Sequence, residues 1–271
     1  MDHELLLQAF QAAQKGQSYA FATIVSATRK GTPRKAGAKL IVLADGSLFG
    51  SIGGGRNEKA AKEECLKAIK SGKPALVTYD YFGHEGQSIC GGQMQVFIEP
   101  FKGQKHLIIC GGGHIALPLS AIGKMLNYKV TIIDNRKEFG NSKRFPHVDA
   151  IILDDYTKAL KRCKINPQTA IMIVTQGNEF DFKCLEFSIH TNAWYIGVIS
   201  SKPKRVKFFN RLKKSGITDR ELKKIAIPAG LDLGAQTPEE IAVSITSEMI
   251  RVANQNATGT DKFKEKERKK L

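Results

Sequence analysis

The chain has no uninterrupted apolar stretch that approaches the roughly 20 residues needed to cross a bilayer. Its first segment, MDHELLLQAFQAAQKG, lacks the basic, then apolar, then small-residue order of a secretory signal and has the pattern of an amphipathic helix. The absence of both features predicts a soluble, cytoplasmic protein with no membrane partner.

Cysteine is also scarce. The five cysteines form no CxxC pair and are odd in number, which argues against a disulfide framework and against a local zinc knuckle. We therefore expect free thiols in a reducing compartment. Cys65, Cys163 and Cys184 have the pattern of small apolar residues on helices, whereas Cys90 lies in a loop and Cys110 at a strand end.

Acidic residues are outnumbered, 26 against 42 basic ones, which gives a net charge of +16. Such a field attracts polyanions and phosphorylated ligands. Part of the excess lies in the segment 261–271, which reads as a solvated end, and part in 202–214, where Val206, Phe209 and Leu212 recur at helical spacing. This basic helix lacks interleaved surface aromatics, so nucleic acid is not the expected partner.

The first hundred residues predict a mixed α/β unit. Apolar strands are expected over 18–28 and 38–52, with a hairpin at Asp45-Gly46, and a helix is expected to end at Gly72. Two further strands flank a glycine-rich loop that ends at residue 92. The polar segment around residue 103 is a plausible boundary between domains.

From His106 onward, strands that are apolar throughout alternate with amphipathic helices. This pattern predicts a parallel sheet buried on both faces, in a Rossmann-like doubly wound domain. A capping box at Thr237–Glu240 begins the closing helix. We thus expect an N-terminal α/β domain over 1–102, a Rossmann-like domain over 103–256 and a basic, disordered tail over 257–271.

The stretch ICGGGHIALPLS, residues 109–120, has the features of a phosphate-binding turn. Gly111, Gly113 and Ala116 fill the three small-residue positions of GxGxxG/A between a strand and a helix, whose first N–H groups suit a phosphate. His114 follows the glycines directly, so it is a candidate phosphate contact. The next strand ends in Asp134, at the distance where an acid accepts hydrogen bonds from a ribose.

Two alternatives remain open for this turn. An NAD(P)-dependent oxidoreductase would use Gly111, Gly113 and Asp134, although no histidine is paired in sequence with an Asp or Ser that would mark a proton relay. The same turn also closes βαβ units that bind no nucleotide. Because Asn135-Arg136 follows it, Asp134 has a helix-capping or ion-pairing alternative.

Two further glycine clusters lie in the N-terminal half. The run GSIGGGRNE, residues 50–58, ends a strand in three glycines and opens a helix, a backbone nest suited to an anion. The run SICGG places Cys90 beside Gly91 and Gly92, where a thiol stays accessible and a positive field favours the thiolate, the form that binds metals and handles sulfur.

Five motifs in order resemble the XdhC/CoxI family, the accessory proteins of xanthine dehydrogenase and related molybdenum hydroxylases. They are RKGTPRKAGAKLIVLADGSLFGSIGGGRNE, SICGGQMQVFIEP, CGGGHIALPL, GVISSKPKR and IPAGLDLGAQTPEEIAVSITSEMI. The resemblance runs from the opening helix to about residue 253. Two departures are Arg56-Asn57 and Cys110, and the latter competes with Cys90 as the reactive thiol.

The resemblance implies a maturation factor rather than an enzyme. Such a protein binds the molybdenum cofactor, either molybdopterin or its cytosine dinucleotide form, shields it, assists its sulfuration with a cysteine desulfurase and delivers it to an apo molybdenum hydroxylase. Family precedent also implies a homodimer. The candidate cofactor contacts are Ser51, Gly53, Gly54, Gly55, Glu58, Cys90, Gly91, Gly92, Gly111, Gly113, His114, Ala116 and Asp134, with Cys90 as the metal ligand.

Overall fold

The computed structural model describes residues 2–28, 32–81 and 92–258, and the chain divides into two compact units after Gly103. The expected fold class is confirmed: a mixed α/β unit precedes a parallel, Rossmann-like sheet. The N-terminal unit contains α1 (Asp2–Gln14), β1 (Tyr19–Ala27), β2 (Lys39–Leu43), β3 (Leu48–Gly50), α2 (Gly55–Ser71), β4 (Ala75–Tyr81) and β5 (Gly92–Phe101).

The N-terminal sheet is antiparallel in the order β3-β2-β1-β5-β4. Alternation along β1 puts Ala20, Ala22 and Ile24 in the core beneath α2, while α1 packs on the opposite face. The expected hairpin joins β2 to β3, with Gly46 at φ +85°. Helix α2 ends, as predicted, at Gly72 in a left-handed conformation.

The elements of the C-terminal unit are β6 (His106–Cys110), α3 (Ala116–Met125), β7 (Lys129–Asp134), β8 (Ala150–Leu153), α4 (Tyr156–Arg162), β9 (Thr169–Ile173), α5 (Asn178–Ser188), β10 (Tyr195–Val198), α6 (Lys202–Lys214), α7 (Asp219–Leu222), β11 (Ile225–Ala226) and α8 (Pro238–Thr258). The strand order is β11-β10-β9-β6-β7-β8, and all the strand pairs are parallel. Helices α4, α5 and α6 cover one face of this sheet and α3 and α8 the other, each group over its own apolar cluster.

The end of the chain agrees with the sequence in part. The capping box of α8 is present, because the Thr237 N–H donates to Glu240 Oε2 and the Glu240 N–H donates to Thr237 Oγ1. Helix α8 runs through Thr258, so the first two residues of the expected tail are helical, and residues 259–271 lie outside the described part. No helix among the described residues is long and apolar enough to cross a membrane.

Candidate functional site

The glycine turn after β6 lies at the point where the order of the parallel strands reverses. The chain runs outward from β6 through β7 to β8, then returns to place β9 on the other side of β6. In sheets of this kind ligands bind in the crevice outside the carboxyl ends of the two central strands. The loops that begin at Gly111 and at Val174 follow these two strands.

The three small residues of the turn have three different environments. Gly111 has φ +112°, and a Cβ there would lie 2.3 Å from the Val174 carbonyl oxygen; its N–H donates to Ile133 O at 2.7 Å. A Cβ at Gly113 would meet nothing within 4 Å. Ala116 is fully buried where α3 meets the sheet. These are the environments that a phosphate cradle requires: a tight turn, an open approach and close helix packing.

The start of α3 is uncapped by side chains. Its N-cap, Ile115, makes no side-chain capping hydrogen bond, and Pro118 falls in the first turn, where a missing N–H breaks no helical bond. His114 is exposed beside this helix start. The helix N-terminus can therefore accept an anion at the position that the sequence predicts.

Asp134 has no exposed side-chain surface and is hydrogen-bonded through both oxygens. Oδ1 accepts from Arg136 N and Nε, both at 2.9 Å, and Oδ2 accepts from Gly112 N at 2.7 Å and from Arg136 Nη2 at 3.0 Å. Desolvation by burial raises the pKa of Asp134, but the hydrogen bonds from Arg136 and Gly112 outweigh it, so the net pKa is lowered. Asp134 is ionised and committed to these partners.

These hydrogen bonds leave little room for the ribose contact expected of Asp134. A carboxylate offers about four acceptor positions, and the four hydrogen bonds use them, so a ribose diol would have to displace Arg136 or the Gly112 N–H. The ion pair that the sequence left as an alternative is present. Phe139 supports it, because the Arg136 guanidinium lies 3.9 Å from the centre of the Phe139 ring.

The peptide at Gly112 is held from several sides. Besides the N–H bond to Asp134, its carbonyl accepts from Arg144 Nε at 3.0 Å. A Cβ at this position would lie 2.3 Å from the Phe139 carbonyl oxygen. The Arg144 Nη2 atom is buried and has no hydrogen-bond partner among the described residues. Sequence reasoning missed Gly112 and Arg144, because the contacts join segments that are about 30 residues apart, with no motif between them.

A partly buried ion pair holds the loop after β9, on the other side of the crevice. Asp181 Oδ1 accepts from Thr175 Oγ1 at 2.5 Å and from its N–H at 3.1 Å, while Oδ2 accepts from Lys204 Nζ at 2.5 Å. The Asp181 side chain is 4% exposed and that of Lys204 18%. The pair ties the first turn of α6 to the first turn of α5. Sequence analysis did not find it, since it treated Lys204 only as part of a basic surface.

The glycine turn of the N-terminal unit already contains an anion. Glu58 Oε2 accepts from Ser51 Oγ at 2.6 Å and from Ile52 N and Gly54 N, both at 3.1 Å. Burial raises the pKa of Glu58, but the hydrogen bonds from Ser51, Gly54 and Ile52 outweigh it and leave the pKa lowered. The expectation of a nest open to an external anion thus needs correction, because a carboxylate of the protein takes these donors.

The last two glycines of this turn, Gly54 and Gly55, have free space around them. A Cβ at Gly54 or Gly55 would meet nothing within 4 Å, although both residues have positive φ. Gly53 N donates to Ser51 Oγ at 3.1 Å. The turn conformation, rather than close packing, therefore accounts for glycine at residues 54 and 55.

The cysteines separate into two groups. Cys90 and Gly91 lie outside the described residues, and Gly92 is buried at the start of β5. Cys110 is fully buried, and its hydrogen bond with the Cys184 thiol, together with desolvation, holds its pKa well above the usual range. Cys110 as the rival reactive thiol was therefore wrong, since an inaccessible, protonated thiol is a poor nucleophile.

Comparison with known proteins identifies both halves of the chain. The family model for the XdhC Rossmann domain matches residues 107–249, more than half of the chain, and that for the XdhC and CoxI family matches residues 12–80. The uncharacterized protein YqeB of Escherichia coli K12 is 30% identical over 260 residues, 94% of this chain and 47% of YqeB. A probable xanthine dehydrogenase subunit of Bacillus subtilis is 28% identical over 156 residues, 58% of this chain and 45% of that relative.

A solved structure supports the fold over both units. The crystal structure of a xanthine dehydrogenase from Bacillus halodurans covers 95% of this chain and 97% of its own, with 21% identity and a TM-score of 0.52. The chain spans about half the length of the curated relatives it matches. On the family matches, this chain belongs to the XdhC and CoxI family and carries the XdhC Rossmann domain in its C-terminal half.

Proposed function

We propose that the protein is an accessory factor of a xanthine dehydrogenase-type molybdenum hydroxylase. The protein acts as a homodimer. It binds and shields the molybdenum cofactor, assists its sulfuration together with a cysteine desulfurase, and delivers it to the apo-enzyme. Membership of the XdhC and CoxI family supports the accessory role. The similarity to a probable xanthine dehydrogenase subunit of Bacillus subtilis supports a xanthine dehydrogenase-like enzyme as the partner.

One structural observation carries the proposal: the glycine turn is open to a phosphate, while the acid beside it is occupied. Gly113 leaves the backbone free for close approach, and the first turn of α3 supplies N–H groups. Asp134, which would hold the ribose of NAD, is bound through both oxygens to Arg136 and Gly112. A ligand held by its phosphate fits this site better than a hydride carrier held by its ribose.

The residues present fit the anionic end of a molybdopterin. Gly113, His114 and the start of α3 would hold the phosphate, and the strongly positive chain, at +16, would raise its local concentration. When bound, the cofactor supplies a dithiolene-held molybdenum to the partner hydroxylase. The proposed ligand to that metal is the Cys90 thiol, since soft thiolates suit such centres.

The cradle is tested by the pterin that accompanies the protein from cells making the cofactor. We expect wild type to carry pterin, measured by fluorescence after oxidation, and Gly113→Ala to lose about tenfold, since a tenfold loss needs only about 1.4 kcal/mol of binding free energy. The thermal midpoint should change by no more than about 2–4 °C, because the added Cβ meets nothing within 4 Å. Wild type with no more pterin than an unrelated protein, or with saturable NADH binding instead, would contradict the proposal.

The thiol is tested separately from the cradle. Cys90→Ala should retain the pterin of wild type but lower the activity that the hydroxylase gains on maturation by about tenfold or more, because the proposed contact is to the metal and not to the phosphate. The matched control is Cys163→Ala, because Cys163 is a half-buried cysteine at the end of α4. This variant should change neither the bound pterin nor the maturation of the hydroxylase. Full maturation by Cys90→Ala would show that the thiol is dispensable.

A further inference from the structure

A groove beside α6 combines an apolar floor with a basic rim. It has a volume of about 570 Å³ and lies between α6, α7 and the edge strand β11. Val206, Phe209, Leu222 and Ile225 form the apolar part of its lining. Helical spacing groups Val206 with Phe209 and Leu212, but the buried face of α6 is formed by Phe208 and Leu212, and Val206 is 60% exposed. No described residue covers the Val206 side chain, so the groove is open to solvent along it.

The charges of the groove are unbalanced. Helix α6 has seven basic residues among its 13 and no acidic one. Arg205, Lys213 and Lys223 line the groove together with one acid, Asp219, which is paired with Lys213 at 2.7 Å. Arg205 lies over the Phe209 ring at 5.1 Å, and neither Arg205 nor Lys223 forms an ion pair with a described residue. The rim thus presents two uncompensated positive charges around an apolar floor.

We infer that this groove docks an acidic amphipathic segment of a partner protein. Acidic side chains of the segment would pair with Arg205 and Lys223, and apolar ones would cover Val206. Electrostatic complementarity of this kind favours the matching partner and disfavours like charge. A second copy of the chain is disfavoured at this groove, because a two-fold contact here would bring the basic residues of α6 against the same basic face. Nucleic acid is disfavoured because single strands stack on exposed rings, and the one ring of the groove, Phe209, is partly buried and faces Arg205.

This inference does not rest on the proposed function, since the groove contains none of the candidate cofactor contacts. The probe is a fluorescent 16-residue peptide with glutamate and leucine at helical spacing, and the comparison peptide is a scrambled sequence of the same composition. We expect saturable binding of the ordered peptide by fluorescence anisotropy and at least tenfold weaker binding of the scrambled one. No binding by wild type, or equal binding of both peptides, would overturn the inference.

Two matched pairs of variants separate the groove from the general positive field. Val206→Asp is compared with Val243→Asp, since Val243 is a 49% exposed valine on α8. Lys223→Glu is compared with Lys207→Glu, which makes the same change in net charge on α6 outside the groove. We expect the groove variant of each pair to weaken peptide binding at least tenfold and its control less than twofold. Equal losses within the pairs, or a single-stranded oligonucleotide that binds in the groove more tightly than the peptide, would refute it.

Discussion

Gly111→Ala should destabilise the C-terminal unit by about 3 to 5 kcal/mol. A side chain at positive φ costs about 1–3 kcal/mol, and forcing an extra methyl into a packed site costs about 1–3 kcal/mol more. Both costs apply, because Gly111 has φ +112° and its added Cβ would lie 2.3 Å from the Val174 carbonyl oxygen. That oxygen belongs to the backbone of the neighbouring loop and cannot move without disturbing β9.

The measurement is urea unfolding followed by tryptophan fluorescence. The chain has one tryptophan, Trp194, which is partly buried against the core of the C-terminal unit, so the signal reports this unit directly. Gly113→Ala is the matched control two residues away, and it should change the free energy of unfolding by less than about 1 kcal/mol, the size of a glycine-to-alanine propensity effect. Equal destabilisation by the two substitutions would contradict the assignment of Gly111 to the turn and Gly113 to the ligand.

Asp134→Asn is expected to cost about 3 kcal/mol of stability at neutral pH. The amide keeps the shape of the side chain but leaves the half-buried Arg136 guanidinium without its counter-ion, and removing one partner of a fully buried pair typically costs about 3–5 kcal/mol. We take the lower end because the Arg136 side chain is 27% exposed. Glu179→Gln is the control: it breaks an equally two-pronged pair with Arg211 at the surface, where little change is expected.

The same variant has a predicted pH dependence. Because the pKa of Asp134 is lower in the folded protein than in the unfolded chain, its stabilisation is fully present above the unfolded pKa and is lost as the pH falls through the folded value. The stability difference between wild type and Asp134→Asn should therefore shrink in acid. A difference that stays constant from neutral pH down to the acid transition would show that Asp134 is not held as an ion.

The sequence predicted the fold well where the apolar pattern is long. Strands such as β6 and β9 are apolar at every position after the first, because both faces of the parallel sheet are covered. The strand β11 was missed because it has two residues, too few for any periodicity, and pairs only through Ile225 and Ala226. The outward position of Val206 was missed because a residue that lies between two helical faces can belong to either.

The candidate site was predictable where backbone geometry selects the residue type. Gly111 was predicted because a tight turn excludes a side chain, and it has φ +112°. The contact of Gly113 with a ligand stays a prediction. The occupation of Asp134 by Arg136 was only one of two alternatives, since residues two apart at a strand end can pair or diverge. The sequence predicted Glu58 as a contact to the ligand. In the structure its carboxylate instead accepts a hydrogen bond from the N–H of the N-cap, Gly54, much as the acid of a capping box does.

The central strand pair sets the order in which the chain can acquire its glycine turn during synthesis. Strand β6 pairs with β9 through His106↔Thr169 and Cys110↔Ile173, and the Gly111 turn rests on the backbone of Val174. While a ribosome is still translating the segment between these strands, the one sheet neighbour that β6 can have is β7. Its second edge stays unpaired until translation has passed Thr175. In the antiparallel N-terminal sheet, β1 waits in the same way for β5, with which it pairs from Tyr19↔Phe101 onward. All strands of this sheet precede Gly103, so the nascent chain can complete this unit before the other closes.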